Sequence, residues 1–82
     1  MTSATQTAVV VVDAIGSPCP GPLVKAKRAL STIAPGESFE LKSTDVGTCA
    51  DIASWCERTG STLVKVATSD QGVFSFTIRR NR

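Results

Sequence analysis

At 82 residues the chain has room for one small domain, and its 41% hydrophobic content is typical of a globular protein. A domain of this size has a shallow core, which argues against a deep internal substrate cavity. The net charge of +2 is too small to predict strong nonspecific nucleic-acid binding. No segment approaches the ~20 apolar residues of a membrane-spanning helix.

The predicted elements begin after a disordered tail at residues 1–7, and residues 8–82 are expected to form a single domain. The β-branched run Ala8–Val12 predicts a strand that ends at Asp13. A turn at Gly16–Pro18 leads into a helical pattern that begins at Leu23 and continues to about Thr32. Its apolar stripe consists of Leu23, Ala26, Leu30 and Ile33.

The second half of the chain predicts four more elements. Ala34–Glu37 has the proline and glycine of a type II turn, and the alternation in Ser38–Ser43 indicates a half-exposed strand. Ala50–Thr59 predicts a helix with Thr48 as its N-cap and Gly60 as its stop. The last two strands, Thr62–Thr68 and Val73–Arg80, are joined by a hairpin turn at residues 69–72.

The resulting order, β-α-β-α-β-β, predicts an α+β two-layer sandwich. We expect a four-stranded mixed sheet with two helices packed on one face, because this arrangement buries both helical stripes. The other face of the sheet is expected to be polar, with Glu40, Lys42, Ser75 and Thr77 pointing away from the helices.

Cys19 is the leading functional candidate, because it lies directly before the first helix. Unpaired N–H groups and the positive end of the macrodipole stabilise a thiolate there, which lowers the thiol pKa below its free value of about 8.5. Pro20 and Pro22 suit a first helical turn and stiffen it, and Pro18 and Gly21 complete the motif. The alternative is an inert cysteine that packs as a small hydrophobe.

The other two cysteines have different expected roles. Cys56, beside Trp55 on the apolar face of the second helix, is predicted to be a core residue. Cys49 lies at the start of that helix and is a candidate second thiol, either resolving or carrying sulfur. Three cysteines without histidine supply neither a disulfide framework nor a zinc site, and no cofactor motif is present.

Charged residues near Cys19 have both a plain and a functional interpretation. Lys25 and Arg28, on the exposed side of the first helix, either serve solubility or form a landing surface for an acidic partner. The run at residues 79–82 is a second basic cluster. Asp13 and Asp45 are expected to orient loops near Cys19 through backbone hydrogen bonds.

Elimination leaves a narrow chemistry. There is no histidine to act as a base, and Pro22 occupies the position where a C-x-x-C motif has its second cysteine. One nucleophilic thiol without these groups suits a protein that carries a group on sulfur while partner enzymes supply the remaining chemistry.

The stretch Asp13–Leu23 resembles the D-x-x-G-x-x-C-P-x-P-L signature of the TusA/SirA-like sulfur-carrier family. The similarity continues through Pro35–Glu37, Thr44-Asp45, the second helix, Gly60 and the final hairpin, whereas Cys49 departs from the usual pattern. This resemblance implies a sulfurtransferase of the persulfide-carrier type, with little turnover on its own. Cys19 would accept sulfane sulfur as a persulfide from a cysteine desulfurase or rhodanese and pass it to an acceptor protein. In the family such relays feed tRNA thiolation, molybdenum-cofactor assembly or sulfur oxidation.

Two other functions stay open at this point. The basic clusters favour a non-catalytic RNA- or protein-binding regulatory module, and Cys19 with Cys49 would suit a thiol redox protein. For the leading hypothesis the partners are the donor and acceptor proteins, with no small-molecule pocket, cofactor, membrane or directly bound nucleic acid. We expect a monomer, because a small carrier must dock several partners. We expect it in the cytoplasm, since residues 1–12 do not resemble a signal peptide.

Overall fold

A computed structural model describes residues 10–18 and 21–81 of the chain. The predicted tail at residues 1–7, and Cys19 and Pro20 of the motif, lie outside these ranges. Six elements follow one another in the predicted order: β1 (Val10–Ala14), α1 (Gly21–Thr32), β2 (Ser38–Ser43), α2 (Thr48–Thr59), β3 (Ser61–Thr68) and β4 (Phe74–Arg80).

The four strands form one mixed sheet in the order β1-β2-β4-β3. β1 pairs with β2 in parallel, and the other two pairings are antiparallel, so β1 and β3 are the edge strands. Buried residues of both helices join a single core cluster with alternate residues of β2 and β4, which places the helices on one face. The predicted α+β two-layer sandwich is therefore confirmed.

The central strands supply the sheet's half of the core. Phe39 and Leu41 of β2 are fully buried, and they lie opposite Ile78 and Phe76 of β4, which are also fully buried. The residues between them are polar and half-exposed on the other face, as the alternation predicts. Burial of these four large side chains is the main apolar contribution of the sheet to stability.

α1 packs on the sheet through small residues rather than through the predicted stripe alone. Ala26 and Ala29 are buried beneath the helix, whereas Leu23 and Leu30 are half-buried at its flanks. Alanines let the helix axis approach the sheet closely, and the leucines then cover the sides of the contact. The helix begins at Gly21, two residues before the apolar pattern, and Pro22 is buried in its first turn, a position that proline tolerates.

Two further predictions at element ends are wrong. β1 does not end at Asp13 but continues to Ala14, which is fully buried and pairs with Ser43 of β2. Thr48 is not an N-cap: it is the first residue of α2, and its buried hydroxyl shares a 3.1 Å hydrogen bond with the Ser43 hydroxyl. A threonine that bonds to a neighbouring strand is locally indistinguishable in sequence from one that caps a helix.

Two turns are confirmed by their backbone geometry. Gly36 has a φ of 91°, and the Glu37 N–H donates to the Ala34 carbonyl at 3.0 Å, as a type II turn requires. Gly60 has a φ of 72° and ends α2 in the left-handed conformation.

Arg80 ties β4 to the end of α1. Its guanidinium Nη1 donates to the Ile33 carbonyl at 2.5 Å and to the Leu30 carbonyl at 3.4 Å. The last carbonyls of a helix have no partner within the helix, so this side chain satisfies acceptors that the fold leaves open. Arg80 is thus a structural residue and is not a free cation of the basic tail.

We expect Arg80→Ala to lower the free energy of unfolding by about 1–2 kcal/mol, because hydrogen bonds from a charged donor to these carbonyls are lost. Arg79→Ala is the matched control: Arg79 is exposed, and a change of at most about 0.5 kcal/mol is expected. Urea denaturation of the three proteins checks this, and equal destabilisation by the two variants would contradict the role of Arg80.

The core position of Cys56 gives stability a pH dependence. Cys56 is 3% exposed, and burial raises the pKa of its thiol above the usual value. Below the unfolded-state pKa the thiol is neutral in both states, and its contribution is fully present. As pH rises above that value the unfolded chain ionises first, so stability is lost until the folded pKa is passed.

In urea denaturation between pH 7 and pH 10, the wild type should lose stability more steeply than Cys56→Ala. The difference should begin near about pH 8.5 and reach at most about 1.4 kcal/mol per pH unit. Parallel curves for the two proteins would show that Cys56 ionises as readily in the folded protein as in the unfolded chain.

Candidate functional site

Both helices begin at the same end of the sheet, where β1 and β2 have their carboxyl ends. Because β1 and β2 are parallel and Ala14 lies opposite Ser43, the two strands end side by side. α1 follows β1 and α2 follows β2, so the connection 15–20 and the connection 44–47 both leave this end of the sheet. Cys19 belongs to the first connection. In sheets with parallel strands, the carboxyl ends of those strands are where ligands and reacting groups gather.

A chain of hydrogen bonds shapes the described part of the first connection. The Ser17 N–H donates to the Ala14 carbonyl at 3.1 Å, and between them Gly16 has a φ of 82°. The Asp13 carboxylate accepts the Ile15 N–H at 2.9 Å, which confirms that Asp13 orients this loop. The Gly16 N–H donates to the Thr44 hydroxyl at 2.9 Å and so joins the two connections.

The residues on either side of the candidate thiol lie close together. The Gly21 N–H donates to the Pro18 carbonyl at 2.8 Å, which links the residue before the CPGP segment (residues 19–22) to the first residue of α1. A Cβ on Gly21 would lie 3.1 Å from the Ser17 Cβ, a tight contact that the Ser17 side chain would have to relieve by a small shift. This close approach favours glycine at position 21, which the sequence did not reveal.

The start of α2 is supported by a small buried polar cluster. The Ser43 hydroxyl, fully buried, bonds with the Thr48 hydroxyl and accepts the Asp45 N–H at 3.1 Å. The Asp45 carbonyl accepts the Thr48 N–H at 3.1 Å, and its carboxylate lies 3.5 Å from the Thr48 hydroxyl. Asp45 therefore organises the second connection, as Asp13 does the first.

The two other thiols differ in accessibility. Cys56 is a core residue, as predicted, and its raised pKa keeps it protonated. Cys49 is half-buried, lies in the first turn of α2 and packs against the core from its edge. Both thiols are free. Of these two, Cys49 is the more accessible to a reagent.

Lys25 and Arg28 lie on one flank of α1 and are both exposed. Among the described residues, the Arg28 side chain donates no hydrogen bond, whereas that of Lys25 does. Lys25 Nζ donates to the Asp13 carbonyl at 3.0 Å and so ties α1 to the end of β1. Both residues border an open groove of about 280 Å³, whose other lining residues are Val10, Val12, Ala29 and Thr32.

A second open groove, of about 500 Å³, lies between the two helices. It is lined by Lys27, Leu30, Ser31, Trp55, Thr59 and Arg80. Neither groove is lined by the described residues of the first connection or by Cys49.

The sequence analysis did not identify the apolar side chains that are exposed at the site edge, the end of the sheet where the two connections lie. Ile15, in the first connection, is 48% exposed, and Val46, in the second, is 75% exposed. Val24 of α1 is also 48% exposed. A single apolar residue in a turn, such as Ile15, is common on protein surfaces, so the sequence carried no signal that marked these side chains.

Residues 10–18 and 21–81 hold no cluster of three or more histidine, cysteine, aspartate or glutamate side chains placed to bind a metal ion. In the same part of the chain, neither helix is long and apolar enough to cross a lipid bilayer.

Comparison with known proteins places this architecture and motif in one family. The family model described as sulfurtransferase TusA matches residues 10–80. A protein of Archaeoglobus fulgidus named "Putative sulfur carrier protein" is 43% identical over 58 residues, which cover 71% of this chain and 80% of that protein. The "Sulfur carrier protein TusA" of Allochromatium vinosum is 30% identical over 70 residues, covering 85% of this chain and 91% of its relative.

Two further matches bear on length and fold. The "Putative sulfur carrier protein YrkF" of Bacillus subtilis is 42% identical over 53 residues, which are 65% of this chain but only 29% of that longer protein. The crystal structure of a SirA-like protein from Desulfitobacterium hafniense superposes with a TM-score of 0.80 at 24% identity. It covers 90% of this chain and 100% of the solved one, which shows the shared fold. The chain belongs to the sulfurtransferase TusA family of sulfur carriers.

Proposed function

We propose that this protein carries sulfane sulfur as a persulfide on Cys19 and delivers it to a partner protein. The observation that carries the proposal is the place of the CPGP segment in the fold. It leads into α1 at the end of the sheet where both helices begin, and hydrogen bonds of the residues before it join β1 and the connection 44–47. Motif identity and family membership support the same residue.

The chemistry is an exchange of one sulfur atom between thiolates. The Cys19 thiolate attacks the terminal sulfur of a donor persulfide, a new S–S bond forms, and the donor S–S bond breaks with its electron pair leaving on the donor thiolate. In the second half the acceptor thiolate attacks the terminal sulfur on Cys19, and Cys19 leaves as a thiolate. Each half-reaction is balanced without an external oxidant or reductant.

The start of α1 lowers the barrier to both halves. The positive end of the α1 dipole stabilises the Cys19 anion, which is the attacking group in the first step and the leaving group in the second. A thiolate that is already ionised requires no general base. This explains how a chain without histidine can perform the exchange.

The partners we propose are a donor, either a cysteine desulfurase or a rhodanese, and a sulfur acceptor protein. Ile15 and Val46 offer apolar contacts at the site edge, while Arg28 and Lys25 attract an acidic partner from the flank. We propose that the protein acts as a monomer in the cytoplasm, in a relay for tRNA thiolation, molybdenum-cofactor assembly or sulfur oxidation.

Two structural features weigh against the RNA-binding alternative. Arg80, at the centre of the basic tail, is engaged by the carbonyls at the end of α1. Two of the three phenylalanines, Phe39 and Phe76, are fully buried and therefore present no ring on which a base could stack. The redox alternative needs Cys49, and the experiment below separates it from sulfur transfer.

Incubation with a cysteine desulfurase, cysteine and pyridoxal phosphate should add one sulfur atom to the wild type, as measured by intact mass spectrometry. Cys19→Ala should gain none, because the accepting thiolate is absent. Cys49→Ser, at the other accessible thiol, should load as the wild type does. Equal loading of Cys19→Ala and the wild type would overturn the proposal, and loss of loading in Cys49→Ser would favour a dithiol mechanism instead.

A further inference from the structure

The two edges of the sheet differ in how well they are protected from pairing with another strand. β3 has a register shift between Leu63 and Lys65, and Lys65 is exposed; a bulge and a lysine are both features that discourage edge pairing. β1 has neither over Val10–Val12, its register with β2 is continuous, and Val10 and Val11 are 45% and 54% exposed. No other strand within residues 10–18 and 21–81 pairs with the outer side of β1, so in this part of the chain the β1 edge can accept an extended segment.

An apolar groove runs beside this edge. Val10 and Val12 of β1 and Ala29 of α1 line it, and the lining surface is almost entirely apolar. Lys25 and Arg28 stand on its rim. A strand added next to β1 would place alternate side chains over this groove, because side chains of a strand alternate between the two faces of the sheet.

The charge of α1 distinguishes two possible binders of the β1 edge, a second copy of this chain and a segment of a partner protein. α1 contains no acidic residue. If β1 paired with β1 of a second copy about a two-fold axis, the two α1 helices would lie side by side. Lys25 and Arg28 of one copy would then face the same cations of the other, and this repulsion opposes a homodimer. The same cations attract a partner segment that carries carboxylates.

We propose that β1 binds an extended, acidic segment of a partner protein by strand addition over Val10–Val12. Main-chain hydrogen bonds form along the free edge, an apolar side chain fills the groove, and a carboxylate lies beside Arg28. The Lys25 ammonium already bonds to the Asp13 carbonyl, so the pairing stops before Asp13. This deepens the docking role proposed for Lys25 and Arg28, but it does not require sulfur transfer through Cys19.

A segment bound along the outer side of β1 leaves the first connection accessible. The groove extends to Thr32, at the far end of α1 from the CPGP segment, and the described residues of the first connection do not line it. A partner held by β1 would therefore not cover the connection that contains Cys19, which allows one protein to hold the carrier while another exchanges sulfur with it.

The test is a nuclear magnetic resonance titration of the 15N-labelled full chain with a capped peptide of about six residues, the usual strand length, alternating valine with glutamate. We expect saturable shifts in the amides of Val10–Val12 and of α1 around Arg28. A peptide with lysine in place of glutamate should bind about tenfold more weakly. The double variant Lys25→Glu/Arg28→Glu should reverse this preference.

Two controls keep the outcome unambiguous. Lys65→Glu changes the charge on the opposite edge and should leave the titration unchanged. Cys19→Ala should also titrate as the wild type does, so a failure of sulfur loading and a failure of strand binding are distinguishable.

Four outcomes would overturn the proposal. These are no shift at millimolar peptide, equal affinity for both peptides, equal binding of polyglutamate without valine, and shifts centred on β3. Concentration-dependent shifts of the β1 amides in the wild type without peptide would identify a second copy as the occupant and would equally refute it.

Discussion

The parallel pairing of β1 with β2 is the constraint on which the rest of the structure depends. It brings Ala14 beside Ser43, so the connections that follow the two strands leave the sheet together and each begins a helix there. The hydrogen bond from the Gly16 N–H to the Thr44 hydroxyl then joins these connections. Without this pairing the CPGP segment would enter α1 at an edge with no second helix start and no partner loop to hold it.

Because of this pairing, several polar residues have a structural role at the ends of β1 and β2. Asp13, Thr44 and the buried pair Ser43 and Thr48 bond to loops and helix starts, so these polar side chains serve the structure of the two connections. A small domain with open grooves gains catalytic power from partners, and it needs surfaces for them instead of a deep cavity. The apolar side chains at the site edge and the cationic flank of α1 are two such surfaces, lying in different places.

Much of the architecture was predictable because local patterns and global packing agree. The alternation in Ser38–Ser43, the type II turn at Gly36 and the stop at Gly60 each depend on the residue's own backbone, so the sequence predicts them correctly. Thr48 and Arg80 were misjudged because their partners, Ser43 and the carbonyls at the end of α1, are known only once the fold brings them together. The same limit hid the close approach of Gly21 to Ser17 and the exposure of Val46.

The central claim is that the start of α1 holds the Cys19 thiol as an anion near neutral pH. The most direct test is the pH dependence of the alkylation rate of Cys19 in a Cys49→Ser background, where the remaining thiol, Cys56, is buried. The account predicts a midpoint clearly below the free-cysteine value of about 8.5. A midpoint at or above that value would contradict it.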